Sequence, residues 1–171
     1  MNKSISAGVA VILMLSGCVS TYKNEAIKKS NVRLDSSKSI LIATPQNGSY
    51  NGTVYANSGS ATATAVRSAF MRHTNAADIS TQCKDFSCLQ SESNGKYDYL
   101  VVPVILHWED RATEWSGIKD KLEFKITLYS SSGEELSSNL IYGKSKWATF
   151  GGDHPQDLLP EPTQLFVDSL Y

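Results

Sequence analysis

YLVVPVILHW, residues 99–108, and KLEFKITLY, residues 121–129, decide how this chain folds. The first stretch is nearly continuous in apolar side chains, the pattern of a strand buried on both faces. Pro103 interrupts it. Proline donates no ladder hydrogen bond, so this position predicts a bulge or a place near a sheet edge. The second stretch alternates strictly: Leu122, Phe124, Ile126 and Leu128 face one way, and Lys121, Glu123, Lys125 and Thr127 the other. A period of two marks an antiparallel strand with one solvated face. Residues 130–134, with Gly133, form a turn, and residues 136–147 return as the second arm of a hairpin.

Working outward, SILIAT at 39–44 is a short apolar run ended by Pro45, read as a first strand inside the sheet. Residues 46–59 contain Asn-Gly twice, at 47–48 and 51–52, and form a long loop with tight turns. Residues 60–73 predict a helix with Ala61, Ala65, Ala69 and Phe70 on one face and Val66 beside them. Asn57 or Ser58 is its expected cap. A short strand is expected at 76–80, and a second helix at 84–94, ended by Gly95, with Cys88 and Leu89 inward. The tail from 158 to 171 carries Leu159, Leu165, Phe166, Val167 and Leu170 and predicts a terminal helix starting near Pro162. The order is approximately β-α-(β)-α-β-β-β-α. This is an α/β chain, a small two-layer sandwich with a mixed sheet packed against helices.

The chain has 171 residues, with 16 Lys and Arg against 17 Asp and Glu. That balance argues against a nucleic-acid binder, which shows a basic face. It also argues against a polybasic membrane clamp. The N-terminus, MNKSISAGVAVILMLSGC, places Lys3 before an apolar run at 5–15 that is too short to span a bilayer and reads as an export signal. A plain signal peptide, or a buried helix with a chance cysteine, is the alternative account. The stretch LSGC at 15–18, however, resembles the lipobox of bacterial lipoproteins. The resemblance implies cleavage before Cys18 and acylation of its thiol, with membrane lipid as the first partner. The absence of an aspartate at Val19 implies the outer membrane. The expected organisation is a signal peptide at 1–17, a lipidated cysteine and polar tether at 18–37, and a single α/β domain at 38–171. The tether carries Lys23, Lys28, Lys29 and Arg33, read as solvated, with a short helix expected around Glu25–Lys29.

Cys83 and Cys88 bracket four residues. In an exported domain the first reading is a disulfide; a redox pair or a metal site are the alternatives, and no further ligands follow closely. The one unusual patch joins HWEDRATEWSG at 107–117 with WATFGGDHP at 147–155, which together hold all three tryptophans. His107 and His154 with Glu109, Asp110 or Asp153 are of the types that bind zinc or hold a general base. No metal-binding spacing and no nucleophile signature accompanies them. The plainer reading is an exposed charged hairpin with Arg111 paired to an acidic neighbour. The binding reading takes His107, Trp108, Arg111, Glu114, Trp115, Trp147, Asp153 and His154 as a recognition surface, because Trp and Arg serve as binding anchors.

YDYLVVPVILHWEDRATEWSG at 97–117 and GKSKWATFGGDHPQDLLPEP at 143–162 resemble DUF4823, a family of short proteobacterial lipoproteins of unknown function. The element order is also similar, at fold level only, to the N-terminal domain of TolB. These resemblances imply a module facing the periplasm, held at the outer membrane, that binds an envelope protein in an assembly or maintenance role. No enzyme activity, cofactor or nucleic acid is expected. The other readings are a small-ligand or glycan binder, and a hydrolase or metal-dependent enzyme using His107 or His154.

Overall fold

The computed structural model describes residues 20–31, 33–111, 118–146 and 154–171. Among the described residues there are eight strands and three helices. They are β1 (Thr21–Lys28), β2 (Ile40–Ala43), β3 (Ser49–Tyr50), β4 (Thr53–Val54), α1 (Ser58–Phe70), β5 (Ala77–Ser80), α2 (Phe86–Ser93), β6 (Tyr99–Glu109), β7 (Lys121–Ser130), β8 (Glu135–Lys144) and α3 (Pro160–Asp168). A 3-10 turn at Pro155–Leu158 precedes α3. Six strands form one sheet in the order β1-β8-β7-β6-β2-β5, and β3 and β4 form a separate small hairpin. β2 runs parallel to both β5 and β6, and the remaining pairs are antiparallel. The result is the expected mixed α/β sandwich.

The main core lies between the sheet and α1 with α3. Val66 and Phe70 of α1 and Phe166 and Val167 of α3 meet Ile40, Ile42, Val101, Phe124, Ile126 and Ile141 of the strands. On the reverse face α2 packs Leu89 against Leu41, Leu100 and Val102. The lower half of β6 is therefore buried on both faces, whereas β7 keeps Lys121, Glu123 and Lys125 on a half-solvated face, as its alternation predicts; Thr127, expected on that face, is instead buried at 4 % exposure. Asp85 caps α2 by accepting the Cys88 amide at 3.0 Å, and Cys83 and Cys88 form the expected disulfide. Leu89 is inward as expected. Cys88 is not: it is exposed, because the bond reaches from the buried Cys83 outward to the first turn of the helix.

β6 carries one extra residue. Ile105 pairs with Phe124 and His107 with Glu123, leaving Leu106 as a bulge. Without it, the residue opposite Leu122 would fall on the wrong face. With it, Trp108 points into the core, 2 % exposed, while His107 and Glu109 turn to the reverse face beside Glu123 and Lys121. Pro103 lies just above Val101, the last β6 residue paired with β2, so its missing N–H falls where β6 has become an edge.

Residues 21–28, expected as tether with a short helix around Glu25–Lys29, are instead the edge strand β1. Thr21 pairs with Lys144 and Glu25 with Leu140, and the Asn139 amide donates to Asn24 Oδ1 at 2.9 Å. A polar strand forms here because one edge and most of its surface face water, so pairing asks little of its side chains. The sheet thus begins well before residue 38. The expected loop at 46–59 holds the β3–β4 hairpin, which turns at Asn51 and Gly52, both at positive φ.

The cap of α1 also differs. Asn57 sits at the cap position but its side chain makes no capping bond. The Gly59 amide instead donates to Asn47 Oδ1 at 3.0 Å. Ser58 Oγ accepts the Gly48 amide at 2.8 Å and donates to the Tyr55 carbonyl. The 45–48 segment is thereby pressed between α1 and β6. A Cβ on Gly48 would lie 2.5 Å from Trp108 Cβ and 2.8 Å from Ile105 Cγ2, and one on Gly59 would strike the Pro45 carbonyl. Gly48→Ala is therefore expected to lower unfolding stability by about 1–3 kcal/mol, the usual cost of overpacking. Ser49→Ala, at an exposed neighbour, should change it by under about 0.5 kcal/mol. Urea denaturation of both variants checks this.

Candidate functional site

The bulge at Leu106 sends the end of β6 past the sheet and brings three segments together: residues 107–111, the β3–β4 hairpin and the start of β7. Glu109 is the centre. Its side chain is 1 % exposed, yet it is held by three cationic or potentially cationic groups. Arg111 Nε donates to Oε1 at 2.5 Å, Lys121 Nζ donates to Oε2 at 3.1 Å, and His107 Nε2 lies 3.0 Å from Oε2. Tyr50 roofs the cluster. Its hydroxyl accepts from Arg111 Nη2 at 3.0 Å, the guanidinium lies 5.0 Å from its ring centre, and His107 meets the ring edge-on at 5.1 Å. Burial pushes the Glu109 carboxyl up. The hydrogen bonds from Arg111, His107 and Lys121 outweigh that push and hold it down at about 2. A carboxylate this acidic is a poor general base near neutral pH.

A second polar knot fixes the strand ends. Asp120, 6 % exposed, accepts the Arg111 amide at 2.5 Å. Its own amide donates to Ser145 Oγ at 2.9 Å, and the Ser145 amide donates to its carbonyl at 3.0 Å. Across from this knot, His154 Nδ1 lies 3.3 Å from Asp110 Oδ1, and the His154 amide donates to Asp157 at 2.9 Å. The hydrogen bond with Asp110 raises the His154 pKa above 6.5 against a lowering by burial; Asp110, Asp157 and Asp120 add their negative field.

Beside the His154–Asp110 pair lies a cleft of about 430 Å³, walled by Tyr55, Asn57, Ala61, Trp108, Asp110 and Gln156. Through Asn57, Ala61 and Gln156 it continues into a groove of about 500 Å³ between α1 and α3 that ends at Arg72 and Gln164. The groove's α1 wall is built from small side chains, including Ala65 and Ala69, so the two helices leave a trough rather than a packed seam.

The sequence-predicted surface is thus divided. His107 and Arg111 belong to the Glu109 cluster. Trp108 is a core residue that lines only the floor of the cleft, a correction to its expected place on the surface. The bulge turns it inward. His154 stands on the cleft's rim. Glu114, Trp115, Trp147 and Asp153 lie outside the described residues. Arg111 does pair with an acidic neighbour, as expected. Sequence reading missed Tyr50, Lys121, Tyr55 and Gln156 as members of these clusters. The one available signal was the alternation that puts Lys121 on the solvated face of β7.

Both imidazoles reach a carboxylate, but among the described residues no Ser, Thr or Cys is hydrogen-bonded to either one. Nor do three His, Cys, Asp or Glu side chains group there to hold a metal ion. What the arrangement can do is hold the strand ends rigid and present a recessed, mostly apolar wall with one ionisable pair at its rim.

Glu109→Gln removes the carboxylate that Arg111 and Lys121 share and should lower stability at neutral pH by about 2–3 kcal/mol. Because the folded carboxyl titrates below its unfolded value, the contribution is full above about pH 5 and disappears as pH falls towards 2. Denaturation curves of the two proteins should therefore converge on acidification; parallel curves would contradict the assignment. For His154 the sign is opposite. Its folded pKa is raised, so its contribution is complete below the unfolded value and is lost as pH rises through the folded one. NMR titration should place His154 above 6.5, and Asp110→Asn should bring it back towards that value.

Comparison with known proteins adds the following. By sequence no curated protein matches. Among solved structures, the PelC dodecamer of Paraburkholderia phytofirmans aligns with a TM-score of 0.62 at 9 % identity, over 85 % of this chain and 96 % of PelC. A point variant of that dodecamer aligns at 0.64 and 8 % identity, over 88 % and 98 %. Protein XCC0632 of Xanthomonas campestris, from the DUF330 family, aligns at 0.50 and 15 % identity, over 81 % and 91 %. At these identities the likeness is one of fold. The profile described as "Domain of unknown function (DUF4823)" matches residues 32–170, and the chain belongs to that family.

Proposed function

We propose that this protein is a lipoprotein held at the outer membrane by acyl chains on Cys18, facing the periplasm, whose domain binds an envelope protein and catalyses no reaction. One observation carries the binding reading. The cleft at Tyr55, Ala61, Asp110 and Gln156, with the α1–α3 groove that continues it, is recessed and lined by small and apolar groups. It sits beside a charged cluster in which Glu109 is already saturated by hydrogen bonds. A rigid frame next to a concave apolar wall suits recognition. The PelC assembly supports a role in building complexes, since a dodecamer is made there from the same fold. The reading of Cys18 rests on the LSGC stretch and its apolar run; acyl chains stabilise the anchored state by roughly 0.8 kcal/mol per buried methylene.

A second reading is favoured by the cleft's size. About 430 Å³ is within the range of small-molecule sites, so a small ligand or glycan is the alternative occupant.

Photo-crosslinking residues placed at Ser60 and Gln156, with Lys125 as a control on the solvated strand face, separate these readings in intact cells. Recurrent capture of one envelope protein from the first two positions alone is the expected result. No capture from either, with the protein intact in the membrane fraction, refutes the protein-partner reading and leaves the small ligand. Cys18→Ser should release the chain from the membrane fraction.

A further inference from the structure

Because β1 takes up residues 21–28, very little chain is left between Cys18 and the sheet. Only Val19 and Ser20 intervene. However those residues are arranged, Cys18 lies within about 10 Å of Thr21. Thr21 stands in one register row with Lys144, Lys121 and Glu109, neighbouring strands being about 4.8 Å apart. The lipid attachment point is therefore at the same end of the sheet as the Glu109 cluster, and the domain has no length of tether with which to turn away.

That end is basic. Lys144 and Lys146 are exposed and Lys119 half-buried, and no described carboxylate lies within ion-pair distance of any of the three. The nearby acids are engaged elsewhere: Glu109 by Arg111 and Lys121, Asp120 by the Arg111 amide, Asp110 by His154. Ile118, 51 % exposed, adds an apolar side chain beside Lys119. The opposite end carries both signs: Lys38 is paired with Asp98, Lys29 and Lys96 are exposed, and Glu134 and Glu135 stand at the β7–β8 turn.

We propose that the end of the sheet where β1 begins is a membrane-docking face, with Lys119, Lys144 and Lys146 on the phosphates of anionic phospholipid headgroups and Ile118 against the interface. This rests on the acylation of Cys18. The lipid supplies attachment, and the lysines supply orientation. Cations brought close to an anionic leaflet bind it cooperatively with an anchor that has already removed the cost of finding the surface. The overall charge of −1 does not oppose this, because only charges within a Debye length of the surface are felt.

Lysine footprinting on the purified lipidated protein in vesicles tests the proposal. A membrane-impermeant amine-acylating reagent is applied, and each lysine's modification rate is read by mass spectrometry. Vesicles with roughly one-third phosphatidylglycerol are compared with neutral phosphatidylcholine. Lys119, Lys144 and Lys146 should react at least about threefold more slowly on the anionic vesicles, and about 0.5 M salt should restore their rates. Lys29 and Lys96, at the far end, should not change. Equal rates at both ends, with the Cys18 peptide carrying its acyl mass, overturn the docking face and leave the anchor standing. A Cys18 peptide without acyl mass overturns the anchoring reading, and the docking face with it.

Discussion

The extra residue at Leu106 is the constraint on which this structure turns. A strand's side chains alternate, so a long strand with a single phase cannot bury both Val101 and Trp108 on one face. The bulge changes phase between them. Below it, β6 is a central strand sandwiched between α1 and α2. Above it, the same strand puts Trp108 on the core and Glu109 on the reverse face, next to Lys121. Gly48 then matters because Trp108 leaves no room for a Cβ there. That close approach brings the 45–50 segment over β6, and with it the Tyr50 ring that closes the Glu109 cluster.

Much of the architecture was legible in the sequence because it followed simple periods. The alternation at 121–129 gave β7 and its solvated face, the apolar run at 99–108 gave β6, and the alanine-rich stretch gave α1 within a few residues. β1 was not legible, because TYKNEAIK has no apolar side to declare. Its inner positions, Tyr22, Asn24 and Ala26, differ only faintly from the outer Lys23 and Glu25, and a polar edge strand looks like a linker. The short β3–β4 hairpin was hidden for a related reason: two residues per strand set no period, and only its Asn-Gly turn showed.

The candidate site was partly legible for the same physical reasons. Residue types drew attention to His107, Arg111 and His154, and those do meet carboxylates. Their grouping depends on register, which a bulge shifts by one and which no composition reveals. Trp108 shows this directly, since a change of phase by one residue separates a surface anchor from a buried one. Tyr50 and Lys121 lie 59 and 12 positions from Glu109 in the chain, and only the folded sheet edge brings them into contact with the cluster.

The pairing of β1 with β8 has a consequence for the order of events as the chain matures. Thr21 meets Lys144 across 123 positions of the chain. The segment synthesised first is thus among the last to find its place, since closing so long a loop must wait for the hairpin that receives it. Until then β1 has no strand to pair with. The sheet presents β8 as an open edge during that interval. Completion of the sheet is then the step that brings β1, from the start of the described chain, onto β8, near its end.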